Sequence, residues 1–173
     1  MPNSFLNTIT KHSFNADLNL SFADTLLNDL ISNNADSSKA SPFTFESESG
    51  RILIKWRAPG IPFLNKEIVF KLKYDSFHKT KHEGILTLKL DDFGKAKQFI
   101  SMPFQALINF IGKRIKEFDK MILLKGDNVI IDLYKLLPAV APDLPMEFVK
   151  TMESLMIDFE PGMTKIKIQL DNK

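Results

Sequence analysis

The chain has 173 residues, of which 44% are hydrophobic, and its formal charge at pH 7 is +2. This length allows one domain with a sizeable core, and the small net charge excludes the polyelectrolyte character of a histone. The sequence contains no cysteine, which excludes disulfides, thiolate metal sites and cysteine catalysis. It also lacks the roughly 18 consecutive apolar residues of a membrane-spanning helix and the apolar core of a secretory signal. We therefore expect a cytoplasmic protein with a single domain over residues 1–173.

A helix is predicted near the start of the chain, after residues 1–15, which are polar and expected to be loosely ordered. Ser21 and Asp24 are spaced as in a capping box, which joins a helix N-cap to an acid three residues later. Apolar residues then recur at helical spacing. They are Phe22, Leu26, Leu27, Leu30 and Ile31. The pattern predicts a helix over residues 21–32, followed by a polar loop.

Strands are predicted from residue 43 onwards, because apolar and polar residues alternate there with a period of two. Ser49 and Gly50 mark the turn of a first hairpin. The apolar side of its second strand consists of Ile52, Ile54 and Trp56. Two further strands are predicted over residues 68–75 and 85–91, separated by a lysine-rich loop. Together these segments indicate an antiparallel meander with one apolar and one polar face.

A central helix is predicted over residues 101–118. Ser101 is a suitable N-cap, and Pro103 suits the first turn, where its missing N–H is not needed. Apolar residues recur at spacings of three and four, the period of one helix face. They are Phe104, Leu107, Ile108, Ile111, Ile115 and Phe118. Such a wide apolar stripe needs a sheet to lie on, and we expect it to pack against the meander.

The last third of the chain predicts a hairpin, a helix and a strand. Gly126 and Asn128 bracket the turn between two apolar runs. A helix is predicted over residues 144–156, with a buried side formed by Phe148, Val149, Met152, Leu155 and Met156. The final strand is predicted over residues 163–170. The predicted fold class is therefore α+β: a curved, mainly antiparallel sheet packed on a central amphipathic helix, with an additional helix near each end.

No constellation of residues indicates catalysis or metal binding. His78 and His82 are four residues apart, a spacing that holds a metal on a helix, but they lie in a predicted turn. Asp91 and Asp92 are adjacent acids at a strand end, where carboxylates commonly serve turns. Acid–base work would require such carboxylates to be held together and desolvated, which spacing alone does not indicate. We therefore predict no enzymatic activity, no metal and no cofactor.

Basic side chains recur on the outward positions of the predicted strands. They are Arg51, Lys55, Arg57, Lys71, Lys73, Lys89, Lys165 and Lys167. They could form a face that binds an anionic partner, namely a protein, a nucleic acid or a membrane surface. The alternative is a solvated sheet exterior, where lysine is common. An aromatic stacking platform for nucleic acid is not predicted on this face, because Phe70 and Tyr74 point inward.

Residues 100–138 resemble bacterial proteins of the tubular lipid-binding (TULIP-like) type. In those proteins a helix opened by proline and a strand hairpin lead into an ending of the form I-x-I-D-L-x-x-L-L. Here that ending is Val129-Ile130-Ile131-Asp132-Leu133 with Leu136-Leu137. The resemblance implies a long curved sheet wrapped on a helix, with an apolar groove that could hold an acyl chain.

Flexible or flat apolar side chains are numerous enough to line such a groove, and methionine adapts to irregular ligands. The candidate ligand-binding residues are Phe63, Phe99, Met102, Ala106, Phe110, Met146, Phe148, Met152 and Met156. Alternatively, they close an ordinary core. The first functional hypothesis is therefore a non-enzymatic binding protein for a lipid or other apolar ligand. The second is an interaction module whose basic face binds an anionic partner.

Overall fold

The computed structural model describes residues 12–33, 43–56, 67–91 and 120–172. These residues form nine strands and three short helices. The strands are β1 (Phe14–Ala23), β2 (Phe43–Glu48), β3 (Arg51–Trp56), β4 (Ile68–Lys79), β5 (Gly84–Leu90), β6 (Ile122–Lys125), β7 (Asn128–Asp132), β8 (Met152–Glu160) and β9 (Met163–Asn172). The helices are α1 (Asp24–Asn33), α2 (Leu133–Val140) and α3 (Met146–Lys150).

The prediction of an α+β fold is wrong, because the described chain consists mainly of strands arranged in two antiparallel sheets. Within that part of the chain no amphipathic helix packs centrally on a sheet. The predicted central helix, residues 101–118, lies outside the described residues. Most of the described apolar residues recur with a period of two, so most strands bury one face; β3 also buries Leu53 on its other face.

The six-stranded sheet has the order β2-β3-β4-β5-β7-β6, with antiparallel neighbours throughout. Two of its hairpins turn at glycines with positive φ, Gly50 (73°) and Gly126 (63°), as their sequences predict. The apolar side chains of facing strands lie opposite each other; examples are the pairs Ile52–Leu72 and Ile54–Phe70. The predicted hairpins and the meander are therefore confirmed.

The three-stranded sheet joins the two ends of the described chain in the order β1-β9-β8. β1 pairs with β9 at every position, from Phe14 opposite Asn172 to Ala23 opposite Met163. β1 therefore begins inside the stretch expected to be loosely ordered, residues 1–15, of which residues 1–11 lie outside the described part. The final predicted strand is confirmed as β9.

The predicted helix over residues 144–156 is wrong beyond Lys150, because β8 begins at Met152. A bulge between Met152 and Ser154 interrupts the alternation of this strand. It leaves Met152 and Leu155 both buried, three residues apart, which imitates the spacing of a helix face. Met156 lies on the opposite face and is 54% exposed.

The two sheets pack against each other through their apolar faces. Phe159 of β8 joins a cluster around Phe70, which is completely buried, and Leu155 joins a second cluster around Val149. Hydrogen bonds also link the sheets. For example, the Tyr74 hydroxyl donates to the Leu155 carbonyl oxygen (2.6 Å), and the Gly50 N–H donates to the Phe159 carbonyl oxygen (2.8 Å).

Helix α1 follows β1 directly and begins at Asp24, so the predicted helix is correct from that residue and wrong for Ser21–Ala23, which are strand. No described helix is long and apolar enough to cross a membrane. A cytoplasmic location stays a prediction.

Candidate binding surfaces

A row of basic side chains crosses the outer face of the six-stranded sheet, opposite the core. Lys73 in β4 lies opposite Lys89 in β5. β7 lies between β5 and β6, and its Asn128 is opposite both Lys89 of β5 and Lys125 of β6. On the other side of Lys73, Arg51 of β3 continues the row. We call Arg51, Lys73, Lys89 and Lys125 the basic row. Because neighbouring strands are about 4.8 Å apart, this row extends for about 19 Å.

Carboxylates neutralise one end of the basic row. The Asp91 carboxylate contacts the Lys73 ammonium at 2.8 Å and the Arg51 guanidinium at 3.6 Å. Arg51 also pairs with Glu48 at 2.6 Å. The hydrogen bond from Lys73, supported by the charge of Arg51, lowers the pKa of Asp91. The hydrogen bond to Glu48 raises the pKa of Arg51. Two cations and two carboxylates therefore balance at this end.

The other end of the basic row carries an excess of positive charge. Lys89 and Lys125 are both exposed, and neither forms an ion pair with any residue of the described segments. Beside them on the same face, Leu123 lies opposite Ile130 and is 53% exposed. The β5–β6 end of this face therefore combines unneutralised lysines with an exposed apolar side chain.

The eight basic residues predicted to share a face do not all lie together. Lys55 pairs with Glu46, which raises the pKa of the lysine through their hydrogen bond. Lys71 is half-buried on the same outer face. Lys165 and Lys167 belong to the three-stranded sheet, where Lys165 pairs with Glu160 at 2.5 Å. Arg57 lies outside the described residues. Lys125 was not among the predicted basic residues, although its position two residues after Leu123 in the β6 strand places it on the outer face.

Three of the four described candidate ligand-binding residues lie together, but in the packed core and not around a groove. Met152 is buried in the core, and Met146 and Phe148 pack partly against the same cluster. Met156 lies on the outer face of the three-stranded sheet. The remaining candidates lie outside the described residues: Phe63, Phe99, Met102, Ala106 and Phe110. The apolar-ligand hypothesis stays a prediction.

An open depression of about 420 Å³ lies on the outer face of the three-stranded sheet. Its lining includes Asp17, Asn19, Met156 and Lys167. This open lining mixes polar and apolar side chains, whereas a site for an acyl chain is usually an enclosed and mainly apolar cavity. The depression therefore gives no support to the apolar-ligand hypothesis.

A buried polar cluster joins helix α1 to both sheets. The Asp24 carboxylate accepts hydrogen bonds from the Ser47 hydroxyl (2.6 Å) and the Ser47 N–H (2.5 Å). The Ser47 and Thr164 hydroxyl oxygens are 3.0 Å apart. Ser47 and Thr164 are 2% and 6% exposed. Because its members satisfy one another, the cluster reads as a structural link and not as a reactive site.

The histidines lie apart from these surfaces. His78 is exposed near the end of β4, and His82 is exposed in the following turn, where its N–H approaches the Thr80 hydroxyl. Within the described segments, no group of three or more histidine, aspartate or glutamate side chains could hold a metal ion.

Comparison of the chain with protein-family models, with curated proteins and with solved structures finds no match. The resemblance to tubular lipid-binding proteins therefore stays a prediction.

Proposed function

We propose that this protein is a non-enzymatic interaction module that binds an anionic partner across the outer face of its six-stranded sheet. The observation that carries the proposal is the alignment of Lys89 with Lys125 at the end of the basic row, where no described carboxylate neutralises them. Lys89 on β5 and Lys125 on β6 lie on the two sides of β7, about 10 Å apart, so their charges add to one positive potential at this end of the face. An anionic partner that spans both lysines would neutralise this potential.

The arrangement favours a partner recognised by its charge. Three large aromatic side chains of this sheet are unsuited to stacking with bases, because Trp56 and Phe70 are buried in the core and the Tyr74 hydroxyl is bonded to β8. Exposed Leu123 adds apolar area beside the lysines. This combination suits an acidic protein segment or an anionic lipid surface better than single-stranded nucleic acid.

The test is a pair of charge reversals, Lys89→Glu with Lys125→Glu. Binding of the wild type to polyglutamate, to vesicles containing phosphatidylserine, and to single-stranded and duplex DNA would be measured at low and moderate salt. We expect binding to one of the first two probes to weaken at least tenfold in the variant and to fall as salt rises. The probe that responds identifies the chemistry of the partner.

A matched control is the double variant Lys150→Glu with Lys167→Glu, which makes the same charge change at exposed positions away from the basic row. The control should bind like the wild type. Equal weakening in both variants would show that only net charge matters. Either that result, or no binding of the wild type to any probe at low salt, would contradict the proposal.

A further inference from the structure

Two of the four sheet edges are closed by specific hydrogen bonds. The outer edge of β2 is closed by α1, because Asn28 bonds to Phe45 and Asp24 bonds to Ser47. The outer edge of β8 bonds to the other sheet through its Leu155 and Phe159 carbonyl oxygens. A third edge strand, β6, has only four residues. Short or covered edges of this kind prevent pairing with other chains.

The edge formed by β1 differs from these three. β1 has ten residues, pairs with β9 without any register shift, and contains no proline, lysine or arginine. The Asp24 N–H donates to the Gly162 carbonyl oxygen, which continues the β1–β9 ladder by one position. Because backbone bonding alternates along a strand, even-numbered residues of β1 bond to β9 and odd-numbered residues face the other way.

The odd-numbered residues therefore present their N–H and C=O groups at an open edge. They are Asn15, Asp17, Asn19, Ser21 and Ala23, and all five are exposed. Within the described ranges no strand pairs with this edge. Such an edge is a template for another strand.

We propose that β1 pairs antiparallel with β1 of a second copy of this chain, about a twofold axis at Asn19; this goes beyond the anionic partner proposed above. Two alternative registers also keep the apolar side chains of both copies on one face; in them the twofold axis lies at residue 18 or at residue 20. Each of those leaves one of the five open residues unpaired. Only the axis at Asn19 places all five opposite another member of the same set, so it forms the most backbone hydrogen bonds.

The side chains of β1 match in this register on both faces. On the apolar face, Leu18 lies opposite Leu20 of the second copy, and the small Ala16 lies opposite the large Phe22. Leu20, which is 40% exposed, would become buried. On the polar face, Asp17 lies opposite a Ser21 hydroxyl that can donate to its carboxylate. Asp17 is the only charged residue of β1, so no like charges meet.

Single cysteine variants test the pairing and its register. In a hydrogen-bonded antiparallel pair the two Cα atoms are about 5.5 Å apart, within the range that a disulfide spans. Cysteines in an Asn19→Cys variant would meet across the axis. In the control Ser21→Cys the Cα atoms of the two cysteines would be about 14 Å apart, since four residues separate them along the strand. The chain has no other cysteine, so a disulfide dimer reports only the introduced thiol.

We expect mild oxidation to convert Asn19→Cys to a covalent dimer at least tenfold faster than Ser21→Cys. Equal rates would contradict the proposed register. A second measurement uses charge: sedimentation of Asn19→Lys should show monomer at concentrations where the wild type is a dimer, and mixing it with Asn19→Asp should restore a heterodimer. The control Gln169→Lys adds the same charge on β9, away from the edge, and should leave the dimer intact. A wild type that stays monomeric throughout, with no preferential cross-link at residue 19, would overturn the proposal.

Discussion

The Asn28 side-chain amide in helix α1 makes two hydrogen bonds to the backbone of Phe45 in β2. Its Nδ2 donates to the Phe45 carbonyl oxygen at 2.9 Å, and its Oδ1 accepts from the Phe45 N–H at 2.7 Å. A primary amide has the same donor and acceptor as a peptide group. Asn28 therefore takes the place of a residue on a neighbouring strand, and it satisfies the backbone N–H and C=O of Phe45 at the outer edge of β2.

Replacing Asn28 with alanine should lower the free energy of unfolding by about 1–3 kcal/mol, because it leaves the two Phe45 backbone groups without their partner. Denaturation by urea would measure the change. The control is Asp29→Ala, at an exposed position of the same helix, which should alter stability by about half a kcal/mol or less. Equal effects of the two variants would show that helix propensity, and not the edge contact, sets the loss.

The Asp24–Ser47 contact should behave as a coupled pair. Asp24→Ala removes the acceptor of two hydrogen bonds, and Ser47→Ala removes one of the two donors. The double variant should therefore be less destabilised than the sum of the single variants, by about 0.5–3 kcal/mol. Thermal or urea unfolding of all four proteins gives this coupling energy. Strict additivity would mean that the hydrogen bond between the Ser47 hydroxyl and the Asp24 carboxylate contributes no coupling energy.

Gly84 should not accept a side chain. A Cβ atom built there would lie 2.5 Å from Cε1 of Tyr134, a residue that is only 4% exposed. Gly84→Ala should therefore destabilise the protein by about 1–3 kcal/mol, since the ring has to move within a packed core. Unfolding by urea measures this, and Gly84→Ala in a Tyr134→Leu background should recover part of the loss. A neutral Gly84→Ala would show that the ring moves freely.

The Tyr134 hydroxyl should be dispensable. It is buried and has no hydrogen-bond partner in the part of the chain that the structure describes, and its burial raises the pKa of the phenol. Tyr134→Phe removes an unsatisfied polar group without changing the ring, so the free energy of unfolding should stay the same or increase. A loss above about 1 kcal/mol would instead indicate a bound water as its partner.

Hairpins were the part of the fold that the sequence predicted well. The turn residues Gly50 and Gly126 adopt positive φ, for which glycine is the favoured residue, and regular alternation on either side sets the register. Helix α2 was not predicted, although Asp132 accepts the Tyr134 N–H as its N-cap. Turn and cap residues can therefore be recognised in the sequence when the strand or helix pattern on either side of them is considered at the same time.

β1 and β8 were missed for different physical reasons. β1 alternates strictly from Phe14 to Phe22, but its start falls in residues 1–15, which were expected to be loosely ordered, and its last residues, Ser21–Ala23, were assigned to the following helix. In β8 the bulge after Met152 hides the period of two. The pairing of β1 with β9 is a contact between chain ends, which no local pattern specifies.

For the candidate surfaces, the sequence could predict which face of a strand each basic residue occupies, but not which residues it contacts. Alternation placed Lys73 and Lys89 on an outward face, and the structure confirms that position. It could not show that Asp91 would reach Lys73 and Arg51, because their meeting depends on the pairing of three strands. The balance between neutralised and excess charge is therefore a tertiary property.

Stability should depend on Asp91 in acid. Its pKa is lowered chiefly by the hydrogen bond from Lys73, and its side chain is 24% exposed. A carboxyl group with a lowered folded pKa stabilises the protein above its unfolded pKa and loses that contribution as pH falls through the folded pKa. The stability difference between wild type and Asp91→Asn should therefore be largest near neutral pH. It should shrink below the ordinary aspartate pKa of 3.8.

Urea unfolding across a pH series measures this difference. The control Asp143→Asn removes the same charge at an exposed position that makes no ion pair within the described segments, and it should differ from the wild type by a small, nearly constant amount. Moderate salt should weaken the Asp91 effect only in part, because its partners touch it directly. If the wild type and Asp91→Asn differ equally at neutral and at acid pH, the ion pairs that Asp91 makes with Lys73 and Arg51 do not stabilise the folded chain.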